Sequence, residues 1–228
     1  MNARFVARLM TGTAFLCVLL FPQVVMANTY SDVASNDADF PAISNLTNLG
    51  VISGSEDGQF HPDLPLTRCE LAKIARLANS HRPNGQFLPL TGGGNGQPIG
   101  GQSESGFSDI KKGDWCDEYA QLLKYHNVLN GYPDGTFRPN QKVTQIEALK
   151  ILINSLKSAS LQENFINDRY TDVHSTDWWA PYIQYVMVYR LTYGHDDASY
   201  GISGLISRRE AARITYNLLQ LFDYSSSN

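Results

Sequence analysis

Positive charge is scarce in this chain. Its 228 residues carry 18 Lys and Arg against 22 Asp and Glu, for a net charge of -4. A protein that neutralises phosphates needs a basic face, so nucleic acid is not an expected partner. Cysteine is rarer still. Only Cys69 and Cys116 lie beyond the N-terminal segment, too few for a disulfide scaffold in a chain of this size. Catalytic signatures are missing as well. The five histidines form no His-Glu-x-x-His pattern, and there is no Gly-x-Ser-x-Gly elbow or phosphate loop. Ser53-x-Ser55-x-Asp57-Gly58 echoes the start of an EF-hand, but the Glu due at its twelfth position would fall at Leu64. No catalytic residue, metal or cofactor is expected.

The one long apolar run is N-terminal. Arg4 and Arg8 precede Leu9 to Phe21, and Val25-Met26-Ala27 follows as a small-x-small cleavage pattern. This predicts a secretory leader over 1–27, since the run is short of the ~20 residues of a membrane span. Removing it leaves 16 basic and 22 acidic residues and no further candidate transmembrane segment. Secretion permits a disulfide. Two readings of Cys69 and Cys116 stand side by side: two buried thiols, or one bridge between their segments.

What the chain does contain is one pattern stated three times. Tyr30-Ser31-Asp32-Val33, Phe107-Ser108-Asp109-Ile110 and Tyr170-Thr171-Asp172-Val173 open the copies. Counting from Asp32, Asp109 and Asp172, an Asp follows at 5 (Asp37, Asp114, Asp177) and a Gly at 22 (Gly54, Gly131, Gly194). An Asp comes at 25 (Asp57, Asp134, Asp197), an aromatic at 28 (Phe60, Phe137, Tyr200) and a Glu at 38 (Glu70, Glu147, Glu210). Such a period defines a repeat protein, whose units bury their apolar faces only against one another. The expected organisation is a leader 1–27, repeat 1 over 28–78, a linker 79–106, repeat 2 over 107–157, a connector 158–169, repeat 3 over 170–222 and a disordered tail 223–228. The linker reading rests on eight glycines and three prolines in 79–106.

Each repeat reads helix, loop, helix. Asp37, Asp114 and Asp177 are expected to cap the first helix. Pro133-Asp134-Gly135 signals a tight turn in the loop of repeat 2. The second helix opens with a capping box: Thr67 with Glu70, Thr144 with Glu147, Ser207 with Glu210. The residue after each cap is Arg68, Gln145 or Arg208. An Arg at that position opposes the helix dipole. It is expected to point outward without a structural task, which suggests anion binding at Arg68 and Arg208. Trp115 and Trp178 follow Asp114 and Asp177. Packing between helices is the first reading for both, and stacking on sugar rings the second.

The Phe107-Ser108-Asp109-Ile110 opening, the Asn130-Gly131-Tyr132-Pro133-Asp134-Gly135-Thr136-Phe137-Arg138-Pro139 loop and the Leu66-Thr67-Arg68-Cys69-Glu70 box resemble the S-layer homology (SLH) repeat. Cys69 replaces the Ala of that family's Thr-Arg-Ala-Glu motif. The resemblance implies an all-α, pseudo-threefold assembly of three helix-loop-helix repeats. It also implies non-covalent, non-catalytic attachment to cell-wall polysaccharide, a secondary wall polymer or peptidoglycan-linked glycan often bearing ketal-linked pyruvate. The glycan would lie in grooves between repeats, and the protein would lie in the cell envelope. The family's anion-contacting Arg carries over to Arg68 and Arg208, and Gln145 takes its place in repeat 2. With Trp115, Trp178 and the loop glycines Gly54, Gly131 and Gly194 these form the candidate glycan-binding set. A chain with no attached cargo domain leaves a second reading open, a module that binds an envelope protein partner without touching glycan.

Overall fold

The computed structural model describes residues 30–82, 106–157, 161, 170–192 and 198–225. The expected leader, most of the linker and connector, and Gly194 and Asp197 of the third loop lie outside the described residues. Six helices occur among them, two per repeat and no strand: α1 (Phe40–Asn48), α2 (Arg68–Asn79), α3 (Asp117–Tyr125), α4 (Gln145–Leu156), α5 (Ala180–Tyr189) and α6 (Arg208–Ser225). The fold is all-α. No described helix is long and apolar enough to cross a membrane. The last helix runs through Ser225, so residues 223–225, expected as frayed tail, continue α6.

The opening Asp of each repeat organises its loop. Asp32 accepts the Phe60 N–H through Oδ1 at 2.8 Å and the His61 N–H through Oδ2 at 2.7 Å. Asp109 does the same for Phe137 and Arg138, both at 2.7 Å. Asp172 does so for Tyr200 at 2.8 Å and Gly201 at 2.9 Å. Two N–H groups reach one carboxylate because the second residue turns left-handed, at φ 56° in His61, 59° in Arg138 and 80° in Gly201. The loop aromatic then enters the core beside the opening aromatic, with ring centroids 5.4 Å apart for Tyr30–Phe60, 5.2 Å for Phe107–Phe137 and 5.3 Å for Tyr170–Tyr200. Gly131 must be glycine here, because a Cβ would stand 2.7 Å from the Thr136 carbonyl and collide with the Phe107 ring. Gly54 meets the same obstacle at Tyr30 and Gln59.

The first helices start later than the sequence suggested. Their N-cap residues are Asp39, Cys116 and Trp179, none with a side-chain cap bond. The side chains of Asp37, Asp114 and Asp177 bond within short turns instead: Asp37 accepts the N–H of Asp39, two residues on, at 2.8 Å, while Asp114 and Asp177 accept those of Lys111 (2.9 Å) and His174 (2.7 Å), three residues back. A local turn bond of this kind competes with helix initiation and delays it. The second helices carry the reciprocal box in full. Thr67 and Glu70, and Thr144 and Glu147, exchange bonds at α2 and α4. At α6 Ser207 N–H donates to Glu210 Oε2 at 2.9 Å while Glu210 N–H returns to Ser207 Oγ at 3.3 Å.

The residue before each box joins the repeats. Leu66 N–H donates to Ile206 O (3.1 Å), Ile206 N–H to Val143 O (3.0 Å) and Val143 N–H to Leu66 O (3.0 Å). All three side chains are fully buried. Around this cycle α2, α4 and α6 contact one another, and each packs on the first helix of another repeat: α2 on α3, α4 on α5, α6 on α1.

At equivalent places these three seams use different chemistry. The pair 37 and 7 residues after the opening Asp is Cys69 with Cys116, Ile146 with Trp179, and Arg209 with Asp39. Cys69 and Cys116 form a disulfide with Cα atoms 5.5 Å apart. Closing a sequence separation of 47 restricts the unfolded chain by on the order of 4 kcal/mol in the chain-entropy account. Ile146 is buried in the apolar core, and Trp179 packs against that core. Arg209 lies 3.3 Å from Asp39 and 3.2 Å from Asp37, while Arg213 holds both oxygens of the buried Asp39 at 2.6 and 2.7 Å.

Two stability outcomes follow from this bonding. Burial works to raise Asp32 and Asp172, but the loop N–H groups outweigh it and hold both carboxyls below the usual Asp range. Their contribution is complete above the ordinary pKa of about 3.9 and is lost as pH falls through the lower native values. Thermal melts from pH 7 to pH 2 should show Asp32→Asn/Asp172→Asn starting below the parent and falling less on acidification; parallel curves would remove the anchoring role. Thr144→Ala should cost about 1 kcal/mol, read as a melting shift of about 2–4 °C.

Candidate functional site

The arginines after the caps do not point into solvent. Arg68 is 5% exposed. Its Nε donates to Phe137 O at 2.8 Å and an NH2 group to Asn130 O at 3.2 Å, both in the loop of repeat 2. Its guanidinium lies 4.8–4.9 Å from the Phe137 and Tyr132 ring centres. Arg208 treats the loop of repeat 1 alike, donating to Phe60 O and Ser53 O, both at 2.7 Å. The expectation of outward side chains with no structural task is therefore corrected: each Arg clamps a neighbouring loop. The reason is non-local, since the acceptors are carbonyls 62 to 155 residues away in sequence.

Clamping leaves each guanidinium facing a cleft. The first cleft, about 320 Å³, is lined by Ser53, Gly54 and Ser55 of the loop, Glu70, Lys73 and Ile74 of α2, Trp115 and Arg208. The second, about 200 Å³, is lined by Asn130, Gly131 and Tyr132, by Glu147, Lys150 and Ile151 of α4, by Trp178 and by Arg68. Their residues correspond position by position. Each cleft draws on all three repeats: one for the loop and helix, one for the Arg and one for the Trp. Trp115 and Trp178 are 58% and 52% exposed. The reading of these indoles as packing between helices is thus overturned, because their rings stand at the cleft mouths. Gly54 and Gly131 line the clefts too, but steric need already accounts for them.

Charge within the clefts is mixed. Arg68 is tempered by Glu147, 3.8 Å away. Among the described residues no carboxylate lies within ion-pair distance of Arg208. Burial pulls its guanidinium below the ordinary Arg value, opposed by Glu70, Tyr30 and Asp32 at longer range. Lys150 Nζ lies 5.1 Å from the Trp178 ring centre. A cation set with a ring beside it suits an anionic group carried on a flat apolar face.

The third set of equivalent residues is altered throughout. Gln145 stands in the place of the clamping Arg, and its Nε2 donates to Glu210 Oε1 at 3.0 Å. Ala38 occupies the Trp position. Arg213 takes the place of Lys73 and Lys150 but is held by Asp39. Lys73 and Lys150 are not among the residues expected from sequence, yet a base recurs 41 residues after each opening Asp, one turn beyond the capping Glu. No group of three or more potential metal ligands occurs among the described residues.

Known proteins carry similar sequence repeats. The model of the S-layer homology domain matches residues 29–72, 106–149 and 169–212. Cell surface glycoprotein 1 of Acetivibrio thermocellus is 24% identical over 191 residues, covering 80% of this chain and 8% of that protein. The cellulosome-anchoring protein of the same organism is 28% identical over 158 residues, 67% of this chain and 30% of its own length. The S-layer protein sap of Bacillus anthracis is 23% identical over 175 residues, 77% and 19%. The chain thus spans less than a third of each of these relatives. The three matched segments together cover more than half of the chain, each built on an Asp-anchored loop and a boxed second helix, and the protein belongs to the S-layer homology domain family.

Proposed function

We propose that the protein is a non-catalytic module of the cell envelope that attaches to a cell-wall polysaccharide through two of its three inter-repeat positions. The observation that carries this reading is the convergence of an Arg, a Lys and an exposed Trp at each of two clefts. A wall polymer bearing carboxylates, such as a pyruvate ketal on a sugar, offers both the anion for the guanidinium and the apolar ring face for the indole. The chain's net charge of -4 gives no general attraction to such a polymer, so recognition is local. The relatives support the location, being a cell surface glycoprotein, a cellulosome-anchoring protein and an S-layer protein. With Gln145, Ala38 and the tied Arg213, the third position is read as inactive.

Trp115→Ala/Trp178→Ala tests this better than removing the arginines, whose loss would also release the loops. Each Trp should be worth roughly tenfold in affinity, about 1.4 kcal/mol. The double variant should fail to co-sediment with purified wall polysaccharide while its melting temperature stays near the parent's. Unchanged co-sedimentation would refute the groove assignment. Retention of an envelope protein by a parent that ignores the polysaccharide would point to a protein partner instead. Polymer stripped of its pyruvate should bind more weakly, and equal binding would assign the anion to another carboxylate.

A further inference from the structure

The two aromatic walls are held in place differently. Trp178, in the second cleft, stands in a cluster of rings: Trp179 at 5.4 Å and Tyr182 at 6.2 Å, with Lys150 on its face. Trp115, in the first, has one ring neighbour among the described residues, Tyr119 at 6.4 Å, and lies two residues after Gly113, whose φ of 88° marks a left-handed turn. The residue after Trp115 is Cys116, 3% exposed and bonded to Cys69 of α2. α2 also lines that cleft with Glu70, Lys73 and Ile74. The disulfide therefore joins the two walls of the first cleft covalently, one residue from the indole. At the equivalent positions beside Trp178 stand two apolar residues, Ile146 in the buried core and Trp179 packed against that core. Beside Ala38, where there is no wall to hold, stand Arg209 and Asp39.

Arg68 also neighbours the bond, through Cys69, yet it does not depend on it. Its Nε and NH2 bonds, its contacts with Tyr132 and Phe137, and its backbone bond to Gln141 O at 3.0 Å fix it independently. We propose that the Cys69–Cys116 disulfide is the positioning bond of the first groove. It holds Trp115 against α2 as that groove's aromatic wall, and its loss disables the first groove while sparing the second. The binding half of this inference rests on the function proposed above; the positioning half does not.

The experiment has a ligand-free arm and a binding arm. In the full chain labelled with 5-fluorotryptophan, the three tryptophans give three fluorine resonances, assigned by single Trp→Phe variants. In Cys69→Ala/Cys116→Ala the Trp115 resonance should move to the free-indole position and narrow, while those of Trp178 and Trp179 stay in place. A Trp115 resonance that does not move overturns the proposal, whether or not any polymer binds. In the binding arm, titration at low temperature with a fragment of the wall polysaccharide too short to reach both clefts should give the parent two sites. The variant should keep one at parental affinity and lose at least tenfold at the other, and adding Trp178→Ala should abolish the remaining one. Two unchanged sites, or equal weakening of both in a folded variant, also overturn it. A parent that binds no polymer refutes the proposed function and leaves the fluorine arm to decide the positioning role. Should the double alanine variant melt below the assay temperature, Cys69→Ala/Cys116→Val, which fills more of the buried space, provides the same comparison.

Discussion

Three backbone hydrogen bonds at the centre of the molecule set a condition that everything else obeys. Leu66, Val143 and Ile206 each give one N–H and accept at one carbonyl, and each partner belongs to a different repeat. A buried peptide group left unpaired is costly, so the cycle is satisfied only when all three copies are docked. The capping boxes begin one residue later and send α2, α4 and α6 out from this centre. Loop position is then fixed through a single residue. Phe60 donates its N–H to Asp32 within its own repeat, and its C=O accepts from Arg208 of another. Phe137 is held in the same way between Asp109 and Arg68. The cleft floors are shaped by this double tether, before any ligand is considered.

The same backbone framework tolerates three kinds of seam. A covalent bond, two apolar residues of the core and an ion pair occupy the equivalent positions in turn. The ionic version is not a simple substitute. Asp39 is 2% exposed and needs both Arg209 and Arg213 around it, as a buried carboxylate requires. Recruiting Arg213 removes from the third position the base that Lys73 and Lys150 supply to the other two. Stabilising that seam and keeping a cleft there are therefore competing uses of one side chain.

Much of this architecture was legible in the sequence because it is written locally. Offsets from Asp32, Asp109 and Asp172 locate the helices, the boxes Thr67–Glu70 and Thr144–Glu147, and the turn loops. Position relative to neighbouring repeats was not legible. Arg68 and Arg208 look solvent-facing on an isolated helix, and only docking brings the carbonyls of Asn130 and Ser53 to them. Trp115 and Trp178 look like core residues by type, and only the placement of α3 and α5 leaves them at cleft mouths. Asp37, Asp114 and Asp177 look like caps in the sequence because the chemistry of a cap and of a short turn is the same. Pro41 and Pro181 mark the later starts of α1 and α5. Lys73 and Lys150 recur as a base at one offset, but the Thr and Glu of the boxes beside them carry the stronger sequence signal.

Both clefts belong to one body built on a shared centre, and this changes what attachment means on the proposed reading. A polymer that repeats the same sugar presents many copies of the same handle. Once one cleft is filled, the next handle meets the other as an intramolecular partner, at an effective concentration that reaches the millimolar range for short spans. Each contact alone then needs only modest strength, and detachment requires both to let go together. The unlike loop residues, Ser53 and Ser55 in one cleft and Asn130 and Tyr132 in the other, make the two handholds unequal. Such a module grips by avidity and can still creep along its polymer one hold at a time.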